Sequence, residues 1–243
     1  MRYLVTSDWH ADWTTLGRSR YIEIAEAVER TIEVALSERV DAYLFLGDLT
    51  DPDTGGDSYR AVTLALMTAT RLAAKGVRSI WVAGNHDVCE DGTGTTTLAP
   101  LLAVSWMYPG RVWVATQPCA VPMSEDEWVL CLPFTPASHG ADAAEAVRAH
   151  WPARGRVVVA AHLMLPGIHP GSEEDMPRGR EVVFPAGLTR AASVRLNGHY
   201  HARQTVDLGD GGPAVIVPGS MARLGFGEEQ NEPGFLIVDT VAP

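Results

Sequence analysis

Five short apolar runs in this chain stop directly at clusters of Asp, His and Asn, and no other feature restricts the fold as much. Residues 3–5 lead into Thr6-Ser7-Asp8-Trp9-His10, and residues 41–46 into Gly47-Asp48-Leu49-Thr50-Asp51. Residues 79–83 lead into Gly84-Asn85-His86-Asp87, residues 156–161 into His162, and residues 193–196 into Asn197-Gly198-His199-Tyr200-His201. Each run has strand length and is rich in Val, Ile, Leu and aromatics. Further runs of the same kind lie at 112–115, 128–132, 214–217 and 235–238.

Two helical patterns separate the first three runs. Ile22, Ala25, Val28, Ile32, Ala35 and Leu36 recur at three- and four-residue spacing with charged residues between them, and Val62, Leu66, Ala69 and Leu72 do the same ahead of Gly76. A shorter helix is expected over 142–150. Strand, helix, strand, helix, strand over residues 3–83 implies parallel pairing with right-handed crossovers. The carboxyl ends of parallel strands share one edge of the sheet, where ligands bind, so side chains distant in sequence converge there. The later half is strand-rich with Gly/Pro turns such as Asp210-Gly211-Gly212-Pro213, which predicts a more antiparallel, mixed second sheet. With 243 residues, 46% of them hydrophobic, the chain can bury a sizeable core. We expect one domain over 1–243: two sheets packed together with helices outside, and no separate capping or C-terminal domain.

Taken singly, the polar clusters are weak signals. Asp-x-His suits a turn or an N-cap, Gly-Asn-His-Asp suits a helix start, and a lone His162 reads as a satisfied buried histidine. All five in order, each at a strand end, are chemically coherent. Asp, His and Asn suit manganese, iron, zinc or nickel, whereas soft thiolate sites need cysteines spaced differently from Cys89, Cys119 and Cys131. The donors are too many for one ion, and a carboxylate such as Asp48 can bridge two. Glycines at 47, 84 and 198 let the backbone turn sharply and approach metals closely.

The ordered set Asp8-x-His10, Gly47-Asp48-x-x-Asp51, Gly84-Asn85-His86-Asp87, His162, Gly198-His199-x-His201 resembles the calcineurin-like metallophosphoesterase superfamily. Thr6-Ser7-Asp8-Trp9-His10, Phe184-Pro185, Pro218-Gly219-Ser220 and Phe226-Gly227-Glu228 are similar to the SbcD-type nuclease branch of it. The resemblance implies an α/β class fold, a four-layer α/β/β/α sandwich of two mixed sheets flanked by helices. It also implies two divalent transition-metal ions, Mn²⁺ foremost, with Fe, Zn or Ni as alternatives. Asp8, His10, Asp48 and His201 would bind one ion; Asp48, Asn85, His162 and His199 the other. A hydroxide bridging the metals would attack phosphorus. His86 would stand beside the scissile phosphate as the acid, with Asp51 orienting its ring.

Acidic residues outnumber Lys and Arg by 30 to 19, a formal charge of −11, which disfavours a basic groove for nucleic acid. The expected rim is acidic at Asp53, Asp57, Glu90, Asp91, Glu173, Glu174 and Asp175, against Arg60, Arg178 and Arg180. Nucleotide-sized phosphodiesters, cyclic nucleotides among them, are therefore the expected substrates. The alternatives are an SbcD-like DNA exo- or endonuclease and, more remotely, a non-catalytic scaffold. Asn85, Trp9, Arg178, Arg180 and His169 are candidate substrate contacts; Trp9 reads equally as a core aromatic. No window has membrane-span length, and the three cysteines suggest reduced thiols, so a cytoplasmic enzyme with no obligate protein partner is expected.

Overall fold

The computed structural model describes residues 1–51, 57–88, 95–134, 142–168 and 182–240. The chain opens with β1 (Arg2–Thr6), a small hairpin of β2 (Thr14–Thr15) and β3 (Arg18–Ser19), then α1 (Tyr21–Ser37), β4 (Ala42–Phe45), α2 (Ser58–Ala74) and β5 (Arg78–Val82). It continues through α3 (Leu101–Met107), β6 (Val112–Ala115), β7 (Cys119–Pro122), β8 (Glu127–Leu132), α4 (Ala143–His150) and β9 (Arg156–Ala161). The last elements are α5 (Ala186–Thr189), β10 (Val194–Asn197), β11 (Gln204–Val206), β12 (Val215–Val217) and β13 (Leu236–Asp239).

Two large sheets result. One has the order β13-β1-β4-β5-β6 and the other β11-β12-β10-β9-β8-β7. In the first, β1, β4, β5 and β6 pair in parallel and β13 closes the edge antiparallel to β1. The second sheet is less antiparallel than its Gly/Pro turns suggest. Strands β8, β9, β10 and β12 are parallel, and only β7 and β11 at the two edges run the other way. Tight turns report hairpins, and here the hairpins form only the edges; β8 reaches β9 by a crossover through α4.

Alternation along the strands builds four layers. In β1, β4 and β5 the residues Leu4, Tyr43, Phe45 and Trp81 face α1 and α2, packing with Ile24, Val28, Ile32, Ala65 and Leu72. Their neighbours Tyr3, Val5, Leu44 and Ile80 face the other sheet and meet Val129, Val158, Ala160 and Leu196. On the far side Leu130, Val157 and Val159 pack under Ala143 and Val147 of α4. Strands apolar on both faces are what a sheet covered on both sides requires. The three apolar layers hold the two sheets with their carboxyl ends at a common edge. Helix α2 ends where the sequence places its stop, with Gly76 at φ 81° and the Val77 N–H returning to Leu72 O at 3.0 Å. No helix among the described residues is long and apolar enough to cross a membrane.

Candidate metal centre

The five polar clusters meet at this common edge. Asp8 and His10 follow β1, Asp48 follows β4, Asn85 and His86 follow β5, His162 follows β9, and His199 and His201 follow β10. Backbone hydrogen bonds tie the loops together: Asp8 N–H to Gly47 O at 2.9 Å, His10 N–H to Asp48 O at 3.0 Å, and Gly198 N–H to Ala161 O at 2.9 Å. Asp8, His10, Asp48 and His199 all adopt positive φ, at 50°, 40°, 60° and 79°. L-residues avoid this region, and such strain persists where the surroundings over-determine the chain, typically at functional sites.

His162 sits in a notch that only glycine leaves open. A Cβ on Gly84 would overlap Asp48 Oδ1 and the Asp48 backbone nitrogen, and one on Gly47 would overlap His162 Nδ1. At Gly84 the requirement is space rather than a sharp turn, since only Gly47 of the two has positive φ, at 98°. Gly84→Ala is therefore expected to cost about 3 kcal/mol through overpacking, a fall of ~10 °C in Tm for a chain of this size. Thermal unfolding of the purified variant checks this, and an unchanged Tm would show that the notch has room to spare.

Two groups of ligand-type side chains form, each with its donor atoms within 4.8 Å of one another: Asp8, His10 and His201, and Asp48, His162 and His199. Asn85 joins the second group, its Oδ1 lying 2.9 Å from both His162 Nε2 and His199 Nδ1. Asp48 stands between the groups, its Oδ2 3.2 Å from His162 Nε2 and 3.8 Å from His10 Nε2. A third group of His10, Asp51 and His86 meets the same limit. The Asp51 carboxylate is 3.7 Å from His10 Nδ1, and the His86 ring is centred 5.1 Å from that of His10.

The electrostatics of this cluster call for cations. Asp8 and Asp48 are fully buried, and no Lys or Arg pairs with either among the described residues. Asp8 Oδ2, Asp48 Oδ2 and His10 Nδ1 are buried without a hydrogen bond. Orphaned buried carboxylate oxygens are costly unless a charge compensates them. Burial pushes the Asp8 carboxyl up, with the charge of Asp48 adding to it. Burial would raise Asp48 as well, but His162, His86 and His10 around it hold it well below the usual carboxylate range. Burial opposes a charge on His162, yet Asp48 and Asp8 prevail and push it up to about 10. A buried set of O and N donors whose carboxylates have only histidines as counter-charge fits divalent transition metals. The cysteines Cys119 and Cys131 instead face each other across β7 and β8, and Cys89 lies outside the described residues.

Trp9 is not a substrate contact. It is completely buried, its indole N–H donates to Thr6 Oγ1 at 2.8 Å, and its ring packs edge-on to Phe45 and Trp81 at 5.0 and 5.6 Å. The two positive-φ residues flanking it turn its ring away from the ligands and into the layer beneath α1 and α2. His169, Arg178 and Arg180 lie outside the described residues, as do the rim acids except Asp57, which pairs with Arg60 at 3.4 Å.

Three carboxylates gain importance that their sequence positions do not announce. Asp87 is buried and acts as a peg, accepting the N–H groups of Asp48 and Gly84 on Oδ2 and that of Leu49 on Oδ1, each at 2.9 Å. Asp12 accepts the Asp51 N–H at 2.6 Å and so places the loop carrying Asp51. Glu228 Oε1 lies at hydrogen-bond distance, 2.7 Å, from His201 Nδ1. Asp87 lies inside one of the polar clusters and was within reach of sequence reasoning. Asp12 has no local pattern that singles it out, and Glu228 stands in the Phe226-Gly227-Glu228 stretch, whose resemblance implies no supporting role.

Known proteins resemble this chain in sequence or in fold. The chain is 38% identical over 88 residues to the SbcD subunit of the SbcCD nuclease of Bacillus subtilis, and 36% identical over 87 residues to that of Escherichia coli. Each match takes in 36% of this chain and only 22% or 21% of the relative, so the similarity spans about a fifth of those proteins. Among solved structures, one Thermus thermophilus protein superposes with a TM-score of 0.56 at 17% identity, covering 90% of this chain and 89% of its own. A dimetal phosphatase from Danio rerio gives 0.51 at 14%, covering 90% and 87%. At such identities these two speak for the fold alone. The family model for calcineurin-like phosphoesterases matches residues 1–202, which carry every one of the five polar clusters, and the chain accordingly belongs to that family of metal-dependent phosphoester hydrolases.

Proposed function

We propose that this chain hydrolyses phosphodiester bonds of nucleotides, using two divalent ions held by the two adjoining ligand groups. The observation that carries the reading is the position of Asp48 between them, within 4 Å of histidines of both. Asp8, His10, Asp48 and His201 would hold one ion, and Asp48, Asn85, His162 and His199 the other. When bound, such a pair supplies Lewis acidity to phosphoryl oxygens and lowers the pKa of bound water toward neutrality. The donor set suits manganese, iron, zinc or nickel, and the family resemblance puts Mn²⁺ first among them.

The remaining groups have tasks of their own. His86 is half-buried beside the ligands, with its backbone N–H fixed on Asp48 Oδ1 at 3.0 Å. Its imidazolium would stabilise negative charge and give a proton to the departing oxygen. Asp51, held through its N–H by Asp12, would orient the His86 ring and keep it protonated. Asn85, already shared between two histidines, would also hold a substrate oxygen.

Nucleotide-sized substrates such as cyclic nucleotides accord with the net charge of −11, because long polynucleotides need several neutralising cations. A DNA nuclease is the second reading, favoured by relatives that carry that name. Rates with Mn²⁺ on 2′,3′- and 3′,5′-cyclic nucleotides, on bis(p-nitrophenyl) phosphate and on single- and double-stranded DNA separate them. A higher kcat/KM on cyclic nucleotides is expected. The reverse order would assign the nuclease, and no hydrolysis with any divalent ion would overturn both.

A further inference from the structure

The segment that follows β12 contributes a carboxylate to the centre although it lies beyond residue 202, where the family match ends. Glu228 is buried, and both of its oxygens are engaged. Oε1 lies 2.7 Å from His201 Nδ1, and Oε2 accepts the Leu224 N–H at 2.7 Å. The loop is held at both ends: the Ser220 N–H donates to His201 O at 3.2 Å, the Ser220 carbonyl accepts the Gly234 N–H at 2.9 Å, and Leu224 is anchored in the helix-side core with Trp9. The Glu228 carbonyl accepts the Asn231 N–H at 2.9 Å, and the Asn231 carbonyl accepts from Arg223 Nε at 3.0 Å. The carboxylate therefore has one place to be, directly behind the His201 ring.

The other side of that ring faces the ligands. His201 Nε2 is 3.1 Å from His10 Nε2. A carboxylate accepts and cannot donate, so the proton of a neutral His201 belongs on Nδ1 and its Nε2 lone pair faces His10 Nε2. We infer that Glu228 is a positioning residue for the metal centre: it holds His201 as the Nδ1–H tautomer, with Nε2 presented to the Asp8–His10 group, and thereby strengthens the hold on a divalent cation. This rests on the metal-dependent reading above. Metal-bound histidines characteristically give their second ring N–H to such an acceptor, and losing it costs ~10–100-fold in metal affinity. The charge also makes the imidazole a better donor, which an amide in its place would do only weakly.

Calorimetric titration with Mn²⁺ of the intact chain and of Glu228→Gln tests the inference, with metal-free Tm as the control for folding. Glutamine keeps the shape and one accepting oxygen for Nδ1–H, removes the charge, and turns its NH2 toward the Leu224 N–H. The expected result is an Mn²⁺ affinity lower by ~10-fold or more, in a variant that still unfolds cooperatively at a somewhat lower metal-free Tm because the Leu224 N–H loses its acceptor. An unchanged affinity in a folded variant overturns the role of Glu228 alone, whereas a parent chain that binds no Mn²⁺ overturns the metal-dependent reading itself. Should Glu228→Gln fail to fold, long-range ¹⁵N spectra of the parent's imidazoles still decide. A proton on His201 Nδ1 supports the inference, and one on Nε2 overturns it.

Discussion

Asp48→Asn should lower kcat/KM by about a thousandfold or more, equivalent to ~4 kcal/mol of barrier, with Mn²⁺ and bis(p-nitrophenyl) phosphate as metal and substrate. The side chain keeps its size, and its Oδ1 can still accept the His86 N–H. What disappears is the negative charge between the two ligand groups, 3.2 Å from His162 and 3.8 Å from His10. Neither Asp8 nor Asp51 replaces it, because Asp8 groups with His10 and His201, Asp51 groups with His10 and His86, and neither falls in the group of His162 and His199. Metal content after dialysis should fall along with activity. A variant within tenfold of the parent would show that the two groups do not act together.

The same substitution has a signature without metal. His162 is raised from the ordinary 6.5 to about 10 in the folded chain, mainly through Asp48 working against burial. A raised histidine contributes stability that is fully present below pH 6.5 and is lost as pH rises through about 10. In the absence of metal the parent should therefore lose stability between those values, and Asp48→Asn should lose less. Denaturant unfolding at several pH values reads the difference. An identical pH dependence in both proteins would remove Asp48 as the cause of the His162 shift.

His86→Ala is expected to split substrates by their leaving groups. For a nucleoside alkoxide, which leaves only when protonated, the loss should be about 10²–10⁴-fold, the usual span for a general acid. For p-nitrophenolate, which leaves without help, it should be much smaller. The metal ligands should be spared, since His86 is tied to Asp48 by its backbone N–H and alanine retains that bond. Equal losses on both substrates would reduce His86 to charge stabilisation without proton transfer.

Much of this centre was legible because its ligands are local to strand ends. A strand announces itself through apolar residues, and the few residues after it go wherever the sheet edge goes. Once β1, β4 and β5 are parallel, Asp8, Asp48 and Asn85 have to meet. The family resemblance implies which of these residues would share a cation, a division that spacing alone does not provide. The partner choice of the later strands was not legible. Turn residues after β8 and β10 say where a strand stops and nothing about which neighbour it pairs with, so the parallel heart of the second sheet emerged only from packing.

The order and chemistry of the ligands, the helices that cross between strands and the family itself were determined by the sequence, because each depends on spacing along the chain. The tertiary structure decided that Trp9 belongs to the core, that Gly84 is needed for room, and which acids serve the site. Glu228 stands in a stretch that marks the branch resemblance, but nothing in the sequence pairs it with a histidine until the fold carries it 27 positions back to His201 and removes water from around both. Burial then converts an ordinary carboxylate into a directional contact, and burial is a property of the whole chain that no local pattern encodes.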